Sequence, residues 1–372
     1  MIVLMFFLLS AGCDQTSVQE EISIPALQEV FSEDFYIGTA LNRSQIFGQD
    51  ERSLELVRTH FNTITPENIL KWQHVHPNPG EYNFEPADRY VEFGEQEDMF
   101  IVGHTLVWHS QTPDWVFKDD EGDPMSREAM IERMRDHIHT VVGRYQGRID
   151  GWDVVNEALN EDGSLRQSPW LEIIGEDYIS LAFEFAREAD PQAELYYNDY
   201  SLENPSKREG AVRLIESLQE QGVPVTGIGT QGHYSLEWPP VEEVDATISA
   251  FANLGIDVMV TELDVDVLPR ATDGQGADIS RTAGPGVELN PYPEALPDLV
   301  QQSLARRYAH LFETFLRHRE VLTRVTFWGV TDGHSWKNNW PVRGRTNYPL
   351  LFDRNWEPKP AFHSVVEVAR RD

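Results

Sequence analysis

"IDGWDVVNE", residues 149–157, reads as a strand buried on both faces, yet it ends on an amide and a carboxylate. Ile149, Trp152, Val154 and Val155 leave no clean alternation of apolar and polar letters, which marks a strand of a parallel sheet covered by helices. Asn156 and Glu157 then need partners or a cavity, because an unmet buried polar group costs about 1–3 kcal/mol.

Seven further runs have the same character: "FYIGTAL" (35–41), "FNTIT" (61–65), "FIVGHTLVW" (100–108), "ELYYNDY" (194–200), "VTGIGTQGH" (225–233), "DVMVTELDV" (257–265) and "RVTFWGVTD" (324–332). Segments with helical spacing of apolar residues lie between them, as at 126–145, 210–221 and 299–319, and "PKPAFHSVVEVARR" (358–371) supplies a closing helix. Eight strands alternating with helices predict a single α/β domain, a (β/α)8 TIM barrel, over residues 27–372. A doubly wound open sheet would want a glycine-rich phosphate turn after its first strand, and "GTALNRSQ" (38–45) is not one.

The 62 acidic against 30 basic residues give a formal charge of −32, which makes nucleic acid or an anionic membrane surface an improbable partner. Such a surface is also expected to tolerate high salt, since screening removes its self-repulsion. The ten tryptophans suit a protein that stacks flat apolar faces, and sugar rings offer such faces. The single cysteine, Cys13, excludes an intrachain disulfide and any cysteine-rich zinc site.

"MIVLMFFLLSAGC" (1–13) is an apolar run too short to span a bilayer, with the small residues Ser10, Ala11 and Gly12 before Cys13. It resembles a bacterial lipoprotein signal, in which Cys13 would become the lipidated first residue. No basic residue precedes Arg43, and Ser10 stands where leucine is more usual. The alternatives are a plain secretory signal or an inert thiol. Export is expected either way, to the outer membrane or cell surface as a lipoprotein or into the medium. Residues 14–26 read as a polar tether, and 270–297, rich in Gly, Pro and Ala, as a long loop within the domain.

The C-terminal ends of barrel strands carry chemistry, and here they are polar almost all round. Glu67 and Asn68 follow the second strand, His104 and Trp108 lie in the third, and Asn156 and Glu157 end the fourth. Gln231 and His233 close the sixth, Glu262 and Asp264 stand in the seventh, and Trp328 and Asp332 in the eighth. Glu262 is thus a partner for Glu157 three strands further round. Two carboxylates across a barrel mouth suit glycoside hydrolysis, one protonated to serve the leaving oxygen and one ionised to attack or to activate water. Either glutamate alone would read as a salt-bridged barrel residue.

"TPENILKW" (65–72), "GHTLVWH" (103–109), "WDVVNE" (152–157), "GTQGHY" (229–234) and "TELDV" (261–265) together resemble the glycoside hydrolase family 10 endo-β-1,4-xylanases, in order and over nearly the whole catalytic domain. The resemblance implies a retaining double displacement on xylan and xylo-oligosaccharides, with Glu157 as acid/base and Glu262 as nucleophile. It further implies that Asn156 binds the sugar 2-hydroxyl and that His233, supported by Asp264, orients Glu262. Gln231 lines the same site; Glu67, Asn68 and Lys71 bind the non-reducing side; His104 and Trp108 contact the sugar at the cut. Trp328 and Trp336 exclude the hydroxymethyl group of glucose.

Plainer readings stand beside these: a helix cap for Glu67 and Asn68, a solvated charge for Lys71, core packing for Trp108. Lys337 is unexpected in its loop, where an apolar residue would be looked for. No cofactor or metal is called for, and a monomer is expected. A retaining cellulase or mannanase on the same barrel, or a surface glycan-binding lipoprotein without catalysis, are the competing functions; such a binder would be indifferent to Glu157→Gln.

Overall fold

The computed structural model describes residues 24–269 and 287–371. The leader with Cys13, nearly all of the 14–26 tether and the 270–297 loop up to residue 286 lie outside the described residues.

Nine strands form one parallel sheet: β1 (Tyr36–Leu41), β2 (Thr63–Pro66), β3 (Phe100–Trp108), β4 (Gly151–Asn156), β5 (Glu194–Asp199), β6 (Gly227–Thr230), β7 (His233–Ser235), β8 (Asp257–Asp266) and β9 (Leu322–Phe327). β1 pairs with β9, and both β6 and β7 pair with β8, so the sheet closes into eight staves with β7 prolonging the sixth. This is the expected (β/α)8 barrel. Its strands are buried over most of their length, and all six residues of β4 are covered. Close contacts between staves depend on small residues beside large ones. Gly103 lies in register with Trp152, and a Cβ there would stand 2.2 Å from the indole.

The helices lie outside. In Arg127–Arg144, Ser126 accepts from the Ala129 amide as N-cap, and Met130, Met134, Ile138, Val141 and Val142 form the buried stripe. In Asp298–Arg317 the stripe is Leu304, Tyr308, Leu311, Phe312 and Phe315, against which the closing helix Pro360–Ala369 packs.

Three expectations are corrected. The sixth stave is broken rather than continuous over 225–233, because Gly232 takes φ +80° and a Cβ there would come within 2.8 Å of Val260. The helix expected at 210–221 runs Pro205–Glu220, opened by a proline at a position that needs no amide hydrogen. β9 ends at Phe327, so Trp328 lies beyond it, and Asp332 turns away from the cavity to accept from Lys359 Nζ at 2.9 Å.

Candidate active site

Both glutamates are 5% exposed and reach one cleft at the C-terminal end of the barrel. Glu157 follows directly on β4 with φ +59°, a left-handed conformation that costs a non-glycine residue about 1 kcal/mol or more. Its amide donates to the Asn198 carbonyl and its own carbonyl accepts from Arg166 Nε, each at 2.9 Å. The side chain is held equally firmly: Oε2 accepts from Trp108 Nε1 at 2.8 Å, and Oε1 accepts from Gln231 Nε2 at 3.0 Å.

Glu262 comes from β8. Its Oε1 accepts from Asn198 Nδ2 at 2.9 Å and its Oε2 lies 3.2 Å from His233 Nε2. His233 Nδ1 faces Asp264 Oδ1 at 3.1 Å, and Asp264 Oδ2 accepts from Trp336 Nε1 at 2.8 Å.

The two carboxyls are set in opposite directions. Burial, the charge of Asp199 and, less strongly, that of Glu262 push the Glu157 pKa up, against the donors Gln231 and Trp108. Burial acts on Glu262 too, but the His233 hydrogen bond and the charges of His104, His233 and Lys71 outweigh it and hold the carboxyl below its usual range. His233 is buried, which disfavours its charge, yet Asp264 and Glu262 raise it to about 9. The cleft therefore presents one carboxyl that holds its proton more tightly than usual and one that gives it up more readily.

Every residue expected to bind substrate lines this same cleft, and Asp264 stands behind His233. Lys71 is buried rather than solvated; its Nζ donates to Asn68 Oδ1 at 3.2 Å and lies 4.9 Å from the Trp108 ring centre. Burial lowers the Lys71 pKa and raises that of Glu67, whose charge Lys71 offsets. The helix-cap reading of Glu67 and Asn68 fails, because the next helix is Trp72–Val75 and starts after Lys71. His104 is anchored by Asp153 at 2.8 Å and meets Trp328 edge to face. Trp336 stacks on Trp340 with ring centres 4.7 Å apart.

Two functional positions escaped the sequence reading. Asn198 bridges Asn156 Oδ1 and Glu262 Oε1, each at 2.9 Å. The polar end of "ELYYNDY" was the available signal, since it repeats the pattern of the other strand ends. Gln111 also lines the cleft, from a loop position with φ +47° that no sequence pattern marks. Among the described residues no group of three or more His, Cys, Asp or Glu is placed to hold a metal ion.

Residues 26–368 match the profile described as glycosyl hydrolase family 10. The chain belongs to this family. Among family relatives, endo-1,4-beta-xylanase A of Xylanibacter ruminicola is 44% identical over 92% of this chain and 93% of its own length. Endo-1,4-beta-xylanase of Geobacillus stearothermophilus is 42% identical over 93% of this chain and 99% of its own. Of solved family 10 structures, a GH10 endoxylanase retrieved from a sugarcane soil metagenome superposes with a TM-score of 0.90 at 45% identity, covering 92% of this chain and all of that one. Xylanase XynB of Paenibacillus barcinonensis, in complex with a conduramine derivative, gives 0.83 at 40% identity over 93% and 99% of the two chains.

Proposed function

We propose that the chain is an endo-1,4-β-xylanase that cleaves internal xylosidic bonds with retention of configuration. One observation carries the reading: in a family 10 barrel, two buried carboxyls of one cleft have opposite proton affinities, Glu157 held up and Glu262 held down. A Glu262 oxygen attacks the anomeric carbon while Glu157 gives its proton to the departing glycosidic oxygen, leaving an ester between sugar and Glu262. That esterification removes a negative charge from the cleft, so the proton affinity of Glu157 falls and it can take a proton from the incoming water. The water oxygen bonds to the anomeric carbon, the ester bond breaks, and its electron pair returns to Glu262. Two inversions give retention.

Asn156 binds the 2-hydroxyl next to the cut, and Gln231 fixes Glu157. Glu67, Asn68 and Lys71 hold the glycone, with His104 and Trp108 against the sugar at the cleavage point. Trp328 and Trp336 wall off the space a hydroxymethyl group would need, so preference for xylose comes from steric rejection. The protein acts outside the cytoplasm, anchored through lipidated Cys13 or secreted, and tolerates salt; the leader's composition supports the first and the charge of −32 the second.

The test is digestion of β-1,4-xylan, carboxymethylcellulose and mannan in parallel, with products followed by proton NMR. Early β-anomeric xylo-oligosaccharides are expected. Cleavage of cellulose or mannan with xylan intact would refute the substrate, and an α-anomer formed first would refute retention.

A further inference from the structure

Lys337 lies in the short turn Trp336–Asn338 and its side chain is 5% exposed. Its Nζ is 3.4 Å from Asp264 Oδ1, and it lies 4.8 and 5.8 Å from the ring centres of Trp336 and Trp340. An ammonium this buried costs several kcal/mol unless a carboxylate offsets it. Asp264 is that carboxylate, and the oxygen that faces Lys337 also faces His233 Nδ1. His233 Nε2 in turn reaches Glu262. Four groups thus stand in a row with alternating charge: Glu262, His233, Asp264, Lys337.

A row ending at Asp264 would be net negative; Lys337 makes it neutral. Once Glu262 is esterified its charge is gone and the row with Lys337 becomes net positive. A positive row opposes formation of the ester and favours its breakdown, which returns negative charge to Glu262. We propose that Lys337 is a positioning residue that clamps Asp264 and His233 and, through its charge, speeds release of the sugar from Glu262. This rests on Glu262 being the nucleophile.

The test compares wild type, Lys337→Met and Lys337→Arg on 2,4-dinitrophenyl β-xylobioside, whose leaving group departs easily, so that ester breakdown limits kcat. For Lys337→Met, kcat falls about three- to thirty-fold. KM falls with it, kcat/KM holds or rises, and the burst of dinitrophenolate keeps its size while the steady-state rate after it slows. Lys337→Arg, which keeps the charge, restores kcat. A parallel loss of kcat and kcat/KM would show a packing role only, and unchanged parameters would show no role; either overturns the proposal. Should Lys337→Met fail to fold, Lys337→Gln carries the same comparison. Failure of the underlying reading is distinct, because the wild type would then show no burst of dinitrophenolate, or its trapped ester would sit on a residue other than Glu262.

Discussion

Asn198 Nδ2 lies 2.9 Å from Glu262 Oε1 and 2.9 Å from Asn156 Oδ1, so one amide on β5 joins the β8 carboxylate to the end of β4. Its own oxygen accepts from Thr261 Oγ1 at 2.6 Å, which leaves the amide nitrogen no other orientation. A hydrogen bond to a charged group contributes about 1.5–3 kcal/mol, so Asn198→Ala is expected to lower kcat/KM on xylo-oligosaccharides by about ten- to a hundred-fold. Loss of a donor to the ionised form also raises the Glu262 pKa, and the acidic limb of the pH profile moves to higher pH. A limb that stays in place would show that Asn198 does not act through the charge of Glu262.

The opposed settings of the two carboxyls predict a bell-shaped kcat/KM against pH. Activity is lost at low pH when Glu262 takes a proton, at a value below the ordinary carboxylate range. It is lost at high pH when Glu157 gives up its proton, at a value above that range. Glu157→Ala should abolish the basic limb and cut kcat on xylan by about 10²–10⁴-fold, while formation of the ester from a dinitrophenyl glycoside, which needs no proton, stays fast.

His233 adds a stability term with a definite sign. Its pKa is about 9 in the fold against an ordinary 6.5, so its contribution is complete below about pH 6.5 and is lost as pH rises through about 9. The gap in melting temperature between wild type and His233→Gln is therefore expected to be widest near pH 6 and to narrow by pH 9.5. A gap that widens with pH would show that the imidazole is neutral in the fold.

The surface charge predicts a response to salt. With a net charge of −32, screening by sodium chloride should raise the melting temperature before any specific ion effect appears. A melting temperature that falls steadily with added salt would contradict the self-repulsion argument.

How far the sequence reading reached depended on what the physics writes locally. The barrel was legible because buried parallel strands read as apolar runs and their helices as stripes, period by period. Glu157 and Glu262 stood out because a carboxylate at the end of such a run has to be explained. Asn198 obeys the same rule but is not distinctive, since an asparagine before a turn has an ordinary explanation. Gln111 could not be read, because a loop residue reaches the cleft through a backbone conformation that leaves no periodic trace. The break at Gly232 was equally hidden: the position takes φ +80° and leaves no room for a Cβ beside Val260 on the neighbouring stave, a constraint set by residues far apart in sequence.

The division of labour between Glu157 and Glu262 is tested most directly by trapping the ester. A 2-deoxy-2-fluoro xylobioside with a dinitrophenyl leaving group slows both steps, breakdown most of all, so the sugar stays on the nucleophile and peptide mass spectrometry locates it. The label is expected on Glu262, with the Glu262→Ala protein unlabelled. A label on Glu157, or stoichiometric dinitrophenol release with no labelled peptide, would contradict the assignment.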